Sequence, residues 1–434
     1  MNLLYDHLAV NEQGHLTIGG MDTVELADTY GTPAYIMDEA AIRTQMRTYL
    51  TAAHASFGAD ALPLYASKAF CCTGIYRIAA EEGMGVDCVS GGELYTARRA
   101  GFPAERIYFH GNNKTERDID EAMDMGVGTF VVDNADELLA VEAHAAGRGI
   151  MQRILLRITP GIDPHTHKAI STGSVDSKFG SAIETGQALN MVRLALAQSH
   201  VRLSGFHCHV GSQIFDNEPF AAAADIMVRF IAEVKQVCGY EVEELNLGGG
   251  LGVPYTEYDR EVDYAGVIRE MAGIVHAYCE QNGVRMPRVI LEPGRSLVAA
   301  SGITLYTVGS VKEIPGFRTY VSVDGGMPDN PRYALYQSRY TALIANRPDA
   351  PQDTRVTIAG RCCESGDLIG EDMPLQTAQR GDILAVLTTG AYNFAMASNY
   401  NRLPRPPVIF VKDGEARVVV KRETYEDLVR NDVL

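Results

Sequence analysis

Residues 62–66 (LPLYA), 84–89 (MGVDCV), 106–109 (RIYF) and 129–132 (TFVV) carry the reading of the fold. Each is a short apolar run with little alternation, the pattern of a strand buried on both faces, as strands are in parallel sheets. Four more runs follow at 154–158, 203–207, 244–247 and 289–292. Between them, 92–100, 116–125, 135–146, 182–197, 220–237 and 262–279 have helical periodicity and good helix formers. A strand followed by a helix thus recurs eight times over about 250 residues, which predicts a (β/α)8 TIM-like barrel, placed at 36–298. The first four steps between strand centres are 21 to 25 residues and the later ones 41 to 50, so the later units carry loop insertions.

Beyond Arg295 the texture changes. Runs at 303–311, 319–323, 355–358, 383–387, 408–411 and 416–421 are rich in β-branched residues and separated by Gly and Pro turns. They predict a second, mostly β domain of residues 299–434, joined by the β-like opening segment 1–35.

Charge and composition remove several classes of function. Lys and Arg number 38 against 55 Asp and Glu, a formal net charge of −17 that repels polyanions, so no nucleic-acid partner is expected. No stretch of 18 apolar residues occurs, and residues 1–20 lack a basic flank followed by an apolar run. The expectation is a soluble, cytoplasmic protein with no membrane partner. The eight cysteines show no C-x-x-C spacing, which argues for reduced thiols and against a zinc or dithiol site.

In a barrel the chemistry belongs where strands end and βα loops begin. Seven of the eight expected strands deliver polar residues there: Ser67-Lys68; Asp87 with Ser90-Gly91-Gly92-Glu93; His110-Gly111-Asn112-Asn113-Lys114; Arg157 and later Ser177-Lys178; His207-Cys208-His209 with Ser212; Gly248-Gly249-Gly250; and Glu292-Pro293-Gly294-Arg295. Lys68 closes an apolar run, and a desolvated lysine is what a Schiff-base nucleophile requires, although a lysine snorkelling from a strand end is the plainer reading of it alone. The triple glycine lets backbone N–H groups approach a phosphate, with Ser212 adding a donor. It does not fit G-x-G-x-x-G, because Val253 holds the last position, and no P-loop Gly-Lys pair exists. Glu292 and Arg295 suit a heteroaromatic N–H and an anion.

His207-x-His209 could place two imidazoles on one strand face, so a barrel metallohydrolase is the rival class. Against it, no further His stands at the neighbouring rim positions, and His209 could stack on a planar ring instead. His165-Thr166-His167 reads as a solvated turn in a loop insertion. A lysine, a phosphate grip, a ring stacker and a carboxylate for a ring nitrogen together spell pyridoxal 5'-phosphate without any metal.

With those residues in view, the chain resembles the fold-type III pyridoxal-phosphate decarboxylases. The matching runs are YASKAF (65–70), DCVSGGEL (87–94), HGNNK (110–114), SKFG (177–180), HVGSQ (209–213), GGG (248–250), EPGR (292–295), DGGM (324–327), CESGD (363–367) and GAYNFAMASNYN (390–401), in family order over nearly the whole chain. The resemblance implies that Lys68 carries the cofactor, His209 stacks on its ring and Glu292 bonds its ring nitrogen, with Asp87 nearby. Ser212, Gly249, Gly250, Gly294, Arg295 and Tyr392 would surround the phosphate or the substrate. It further implies a homodimer with active sites at the interface, in which Cys363 returns a proton from the partner subunit. The activity implied is decarboxylation of meso-2,6-diaminopimelate to L-lysine and CO2. Arg332 and Arg295 would hold the distal carboxylate, Glu364 the distal ammonium, and Tyr336 and Tyr392 would complete the pocket. Decarboxylation of ornithine, arginine or carboxynorspermidine is the alternative within the family. Tyr333 stands where the family commonly has Pro after Arg332, a departure expected to shift that arginine.

Overall fold

The structure, a computed structural model, describes residues 3–162 and 177–433. It divides into two compact units, Met46–Gly252 with Val262–Ser296, and Met1–Gln45 with Val253–Glu261 and Leu297–Leu434.

The first unit is a barrel of eight parallel strands: β1 (Leu62–Ala66), β2 (Gly85–Cys88), β3 (Ile107–Phe109), β4 (Thr129–Val132), β5 (Gln152–Thr159), β6 (Val201–His207), β7 (Glu244–Asn246) and β8 (Arg288–Leu291). Each pairs in parallel with the next, and β8 pairs with β1 to close the ring. Closure leaves no free strand edge, which is why nearly every strand residue can be apolar. Leu64, Tyr108, Val131, Leu155 and Ile290 pack together as one core cluster. Burying each such side chain contributes about 1.5–3 kcal/mol. Where β5 meets β6 the register slips between Leu203 and Gly205; on the side of β6 that faces β7, a Cβ at Gly205 would lie 1.8 Å from the Glu244 carbonyl oxygen, so only glycine fits.

The connecting helices begin on side-chain caps and end on left-handed glycines. Ser90 caps α2 (Gly91–Ala100), Thr115 and Asp118 form a capping box on α3 (Glu116–Met125), and Asn134 caps α4 (Ala135–Arg148). Gly101, Gly126 and Gly149 end these three helices at positive φ. Helices that went unforeseen in the sequence include α1 (Thr73–Glu81) and the longer Glu39–Phe57. The helix expected at 182–197 starts only at Gln187, because Ser181–Ala182 forms a short strand beside β5.

The second unit is built on a nine-stranded sheet. Its long strand, Gly302–Ile314, pairs with Arg318–Val323 along its second half and with Ala34–Asp38 and Ile383–Val386 along its first. The opening segment makes three short strands, Leu8–Val10, Leu16–Ile18 and Met21–Asp22, and also a helix, Thr23–Tyr30, capped by the Asp22 carboxylate. Ile36, Ile303, Leu305, Leu343, Ala385 and Ile409 lie in its apolar core. Among the described residues all eight cysteines are free, and no helix is long and apolar enough to cross a membrane.

Candidate active site

At the carboxyl end of β1 the chain turns through a single 3-10 turn, Ser67–Ala69. Two bonds hang this turn on β2: the Ser67 N–H donates to Asp87 Oδ1 (3.1 Å), and the Ser67 hydroxyl donates to the Asp87 carbonyl oxygen. Ser67 and Ala69 are buried, yet Lys68 between them is exposed. The turn thus sets Lys68 at the strand end, outside the apolar run that precedes it. Its charge is felt at Asp87, Glu93 and His209, which places it among them. Burial, and then the charge of Glu292, push the Asp87 carboxyl up to about 6, against the pull of His110 and Lys68. Burial pushes Glu93 up to about 7.

Glu292 follows β8 and is buried. Its Oε1 accepts from Asn246 Nδ2 at 2.7 Å, and its Oε2 accepts from His207 Nε2 at 3.0 Å. His110 Nε2 lies 2.8 Å from Oε1 but off the line of a straight hydrogen bond. Burial alone would favour the protonated acid; His110 and His207 beside it outweigh that and hold the carboxyl well below its usual range. His207, by contrast, is pushed down to about 4 by burial despite Glu292 pulling the other way. The result is a carboxylate that keeps its negative charge, with His207 and Asn246 each donating to one of its oxygens.

The atoms of His110, His207 and Glu292 lie within 4.8 Å of one another, so the metal reading can be tested directly. Ligand atoms around a tetrahedral zinc stand about 3.3 Å apart at the usual bond lengths. Here the nitrogen-to-oxygen separations are 2.8 and 3.0 Å, with an amide N–H on the same carboxylate. These are hydrogen-bonding distances. The expected His207-x-His209 pair also divides: His207 faces Glu292, whereas His209 Nδ1 accepts from the Gly249 N–H at 3.4 Å. The metallohydrolase alternative loses its ligand set. His165-Thr166-His167 lies outside the described residues.

The triple glycine threads between two strand ends. A Cβ at Gly248 would lie 2.4 Å from the Cys208 carbonyl oxygen, at Gly249 2.0 Å from that of Glu292, and at Gly250 2.2 Å from that of Gly211. No side chain fits, so the turn brings its backbone against both the His209 loop and Glu292. Half-buried His209, made neutral by burial, lies against it. Buried Arg295 donates from Nη2 to Ser212 Oγ at 3.0 Å, which sets a guanidinium and a hydroxyl together as an anion grip. Gly294 is glycine because a Cβ there would meet Ala66 Cβ at 2.8 Å. Two of the other quoted runs serve the scaffold. Lys114 is buried, bonding Glu137 Oε1 (2.6 Å) and the carbonyls of Val131 and Gly111, while the Gly180 N–H donates to Asp133 (3.0 Å).

In the second unit Arg332 is buried within a group of tyrosines. Its guanidinium carbon lies 5.5, 5.6 and 5.9 Å from the ring centres of Tyr255, Tyr336 and Tyr392, and Nη2 donates to Ser338 Oγ at 3.0 Å. Tyr333 donates from its hydroxyl to Glu371 (2.6 Å), on the exposed side of the short helix Arg332–Tyr336. The departure from proline therefore leaves Arg332 buried and partnered. Cys363 and Glu364 are exposed, with the Cys363 N–H donating to Asn401 Oδ1 (2.7 Å); the contacts gathering Arg332, Tyr336 and Tyr392 do not include them. Tyr255 and the roles of His110, His207 and Asn246 at Glu292 were missed in the sequence. The available signal was position alone, since these three lie at the carboxyl ends of β3, β6 and β7.

Residues 40–299 match the family model for the pyridoxal-binding domain of pyridoxal-dependent decarboxylases. The chain is 49% identical over 424 residues to a diaminopimelate decarboxylase of Halalkalibacterium halodurans, covering 98% of this chain and 96% of the relative. It is 48% identical over 423 residues to that of Bacillus subtilis, with the same coverage. Among solved structures it is similar to a diaminopimelate decarboxylase from M. jannaschii in co-complex with L-lysine, with a TM-score of 0.91 and 36% identity over 99% of this chain and 98% of that one. The Helicobacter pylori enzyme complexed with L-lysine gives 0.85 and 32%, over 94% and 98%. Rim chemistry and likeness over the full length agree, and the chain belongs to the diaminopimelate decarboxylases of the pyridoxal-dependent decarboxylase family.

Proposed function

We propose that this protein releases CO2 from meso-2,6-diaminopimelate and yields L-lysine, using pyridoxal 5'-phosphate held at the barrel rim. The observation that carries the reading is Glu292, a buried carboxylate kept ionised by the His110 and His207 side chains beside it, three residues before an arginine that grips a hydroxyl. Those residues fit the cofactor. An anion suits a protonated ring nitrogen, the flat neutral imidazole of His209 suits the ring face, and Ser212, Arg295 and the amides of Gly249 and Gly250, with Gly294 allowing close approach, suit a phosphate. The bound cofactor supplies an electron sink for the pair left on the substrate when CO2 departs.

The chain's own residues do the rest. Lys68 offers the amine that tethers the cofactor, and Asp87 holds the turn that carries Lys68. Arg332, its guanidinium set among tyrosine rings, takes the distal carboxylate together with Arg295, with Tyr336 and Tyr392 beside it. Glu364 takes the distal ammonium, and the Cys363 thiol returns a proton to the α-carbon. The same reading makes the protein a cytoplasmic homodimer, each subunit lending Cys363 and Glu364 to its partner. L-lysine bound to the M. jannaschii and Helicobacter pylori relatives supports the product assignment.

The test is CO2 release from diaminopimelate compared with ornithine, arginine and lysine. Diaminopimelate is expected to be the productive substrate, and Lys68→Ala to lose both turnover and the visible absorption of the tethered cofactor. Equal release from ornithine or arginine overturns the substrate; turnover by Lys68→Ala overturns the tether. Sedimentation at twice the 47.2 kDa chain mass tests the dimer.

A further inference from the structure

His207 and Asn246 come from neighbouring strands and stand directly opposite one another in register. Each gives one N–H to a different oxygen of Glu292: Nε2 of His207 to Oε2, and Nδ2 of Asn246 to Oε1. Two donors on two oxygens fix the carboxylate plane, which a single donor would leave free to rotate. Asn246 does more, because its Oδ1 accepts from the Gly248 N–H at 2.9 Å. Glu292 returns the link, its own N–H donating to the Gly248 carbonyl at 2.7 Å. One amide thus joins the carboxylate to the first residue of the triglycine turn. Both clamp residues are essentially buried, at 1% and 0% exposure, so neither is held in place by solvent.

We infer that His207 and Asn246 are positioning residues that set the Glu292 carboxylate for the cofactor's ring nitrogen, and that Asn246 also ties that setting to the turn that grips the phosphate. The inference rests on the assignment of Glu292 to the ring nitrogen. Its physical content is the neutrality of the donors. Arginine or lysine would cancel the charge of Glu292, whereas an imidazole and an amide satisfy the buried oxygens and leave the negative charge for a cation. Without them, burial would drive the carboxyl to keep its own proton. It would then present a donor where an acceptor is needed, and the preference for a protonated ring nitrogen would vanish.

The experiment uses the full chain freed of cofactor and titrated with pyridoxal phosphate and with its 1-deaza analogue, which has carbon in place of the ring nitrogen, followed by tyrosine fluorescence. Wild type is expected to bind pyridoxal phosphate at least about tenfold more tightly than the analogue, the discrimination typical of a charged hydrogen bond. His207→Phe and Asn246→Leu should lose most of that discrimination by weakening pyridoxal phosphate alone. His207→Gln keeps an N–H near the position of Nε2 and should restore it, which separates loss of the bond from loss of packing. Equal weakening of both ligands in His207→Phe, unrescued by Gln, marks a merely structural role and overturns the inference. Unchanged discrimination in His207→Phe and Asn246→Leu overturns it too. If wild type itself does not discriminate, it is the assignment of Glu292 to the ring nitrogen that falls, and the clamp falls with it. Should His207→Phe fail to fold, Asn246→Leu with His207→Gln gives the same comparison.

Discussion

Glu292, just past the carboxyl end of β8, and Glu244, the first residue of β7, are both buried inside one barrel, yet their surroundings differ in kind. Glu244 sits at the amino end of the strands, with Arg153 Nη2 at 2.6 Å, Arg288 Nη1 at 3.1 Å and the Tyr108 hydroxyl at 3.2 Å. Two guanidiniums spend its charge within the fold. Glu292 has on its two oxygens the imidazole of His207, which burial holds neutral, and the amide of Asn246. The same side chain is a structural anchor where cations surround it and a working group where neutral donors do. Of these two carboxylates, the one left for a cation arriving from outside is at the rim, the end of a barrel at which active sites are built.

The largest effect expected is on activity at the rim. Glu292→Gln keeps the shape but loses the charge, and decarboxylation should fall on the order of 10²–10³-fold, as for loss of a preorganised electrostatic partner. The unfolding midpoint should move little, because Asn246 still donates to the amide oxygen and neutral His207 can carry its proton on Nδ1 and accept the new amide N–H at Nε2. At the other end the outcome should invert. Glu244→Gln leaves two arginines facing a neutral group, and stability should fall by about 1–3 kcal/mol. That is less than the roughly 3–5 for a fully buried pair, because the two arginine side chains are about a third exposed. Activity per folded molecule should stay at wild-type level. Urea unfolding and turnover measured on both variants decide the matter; a Glu244→Gln enzyme that is stable but slow would break the division between the two ends.

How much of this division could be read beforehand follows from the range of the forces involved. The barrel strands were legible because burial on both faces makes each a run of apolar residues, and residues 129–132 were placed without error. Residues 34–38 form an equally apolar strand, but it pairs with Gly302–Ile314 in the other unit, and an apolar run carries no mark of which sheet it will join. The strand Leu368–Leu375 was missed because half of it faces water and it contains Gly, Asp and Pro. At the site, residue type at a strand end exposed Lys68, Glu292 and Arg295. The clamp stayed hidden, because residues 207, 246 and 292 meet only through strand register, and no local pattern encodes which strand ends share a carboxylate.

Asp87 sharpens the comparison through pH. Its folded value, raised to about 6 by burial and by Glu292, lies above the about 3.9 of an unfolded aspartate. A raised carboxyl means the folded state holds the proton more tightly, so its contribution favours folding at low pH and is lost as pH rises from about 4 to about 6. Asp87→Asn, measured without cofactor, should match wild type near pH 4. Above pH 6 it should be more stable by about 2–3 kcal/mol, the size of a shift of about two units. A variant with unchanged pH dependence would mean that burial and Glu292 do not raise this carboxyl, and the contrast with the arginine-paired floor would weaken.

The smallest effect belongs to a third carboxylate cluster, on the helical outside. His144 of α4 lies between Glu116 and Asp120 of α3, with Nδ1 2.7 Å from Asp120, and Arg148 Nη2 reaches the same Asp120 at 2.7 Å. The bond to Glu116, and then that to Asp120, raise the imidazole above its ordinary value against a modest opposing effect of burial. Its stabilisation is therefore complete below the unfolded value of about 6.5 and is lost as pH rises through the folded one. Water screens this cluster and Arg148 remains, so His144→Ala should cost below about 1 kcal/mol at pH 5.5 and nothing measurable at pH 9. Added salt should shrink the difference at the lower pH, whereas the cost of Glu244→Gln, set inside the barrel, should respond little to salt. Denaturant titrations of both variants at two ionic strengths would separate an ion pair that solvent can replace from one that the fold must supply.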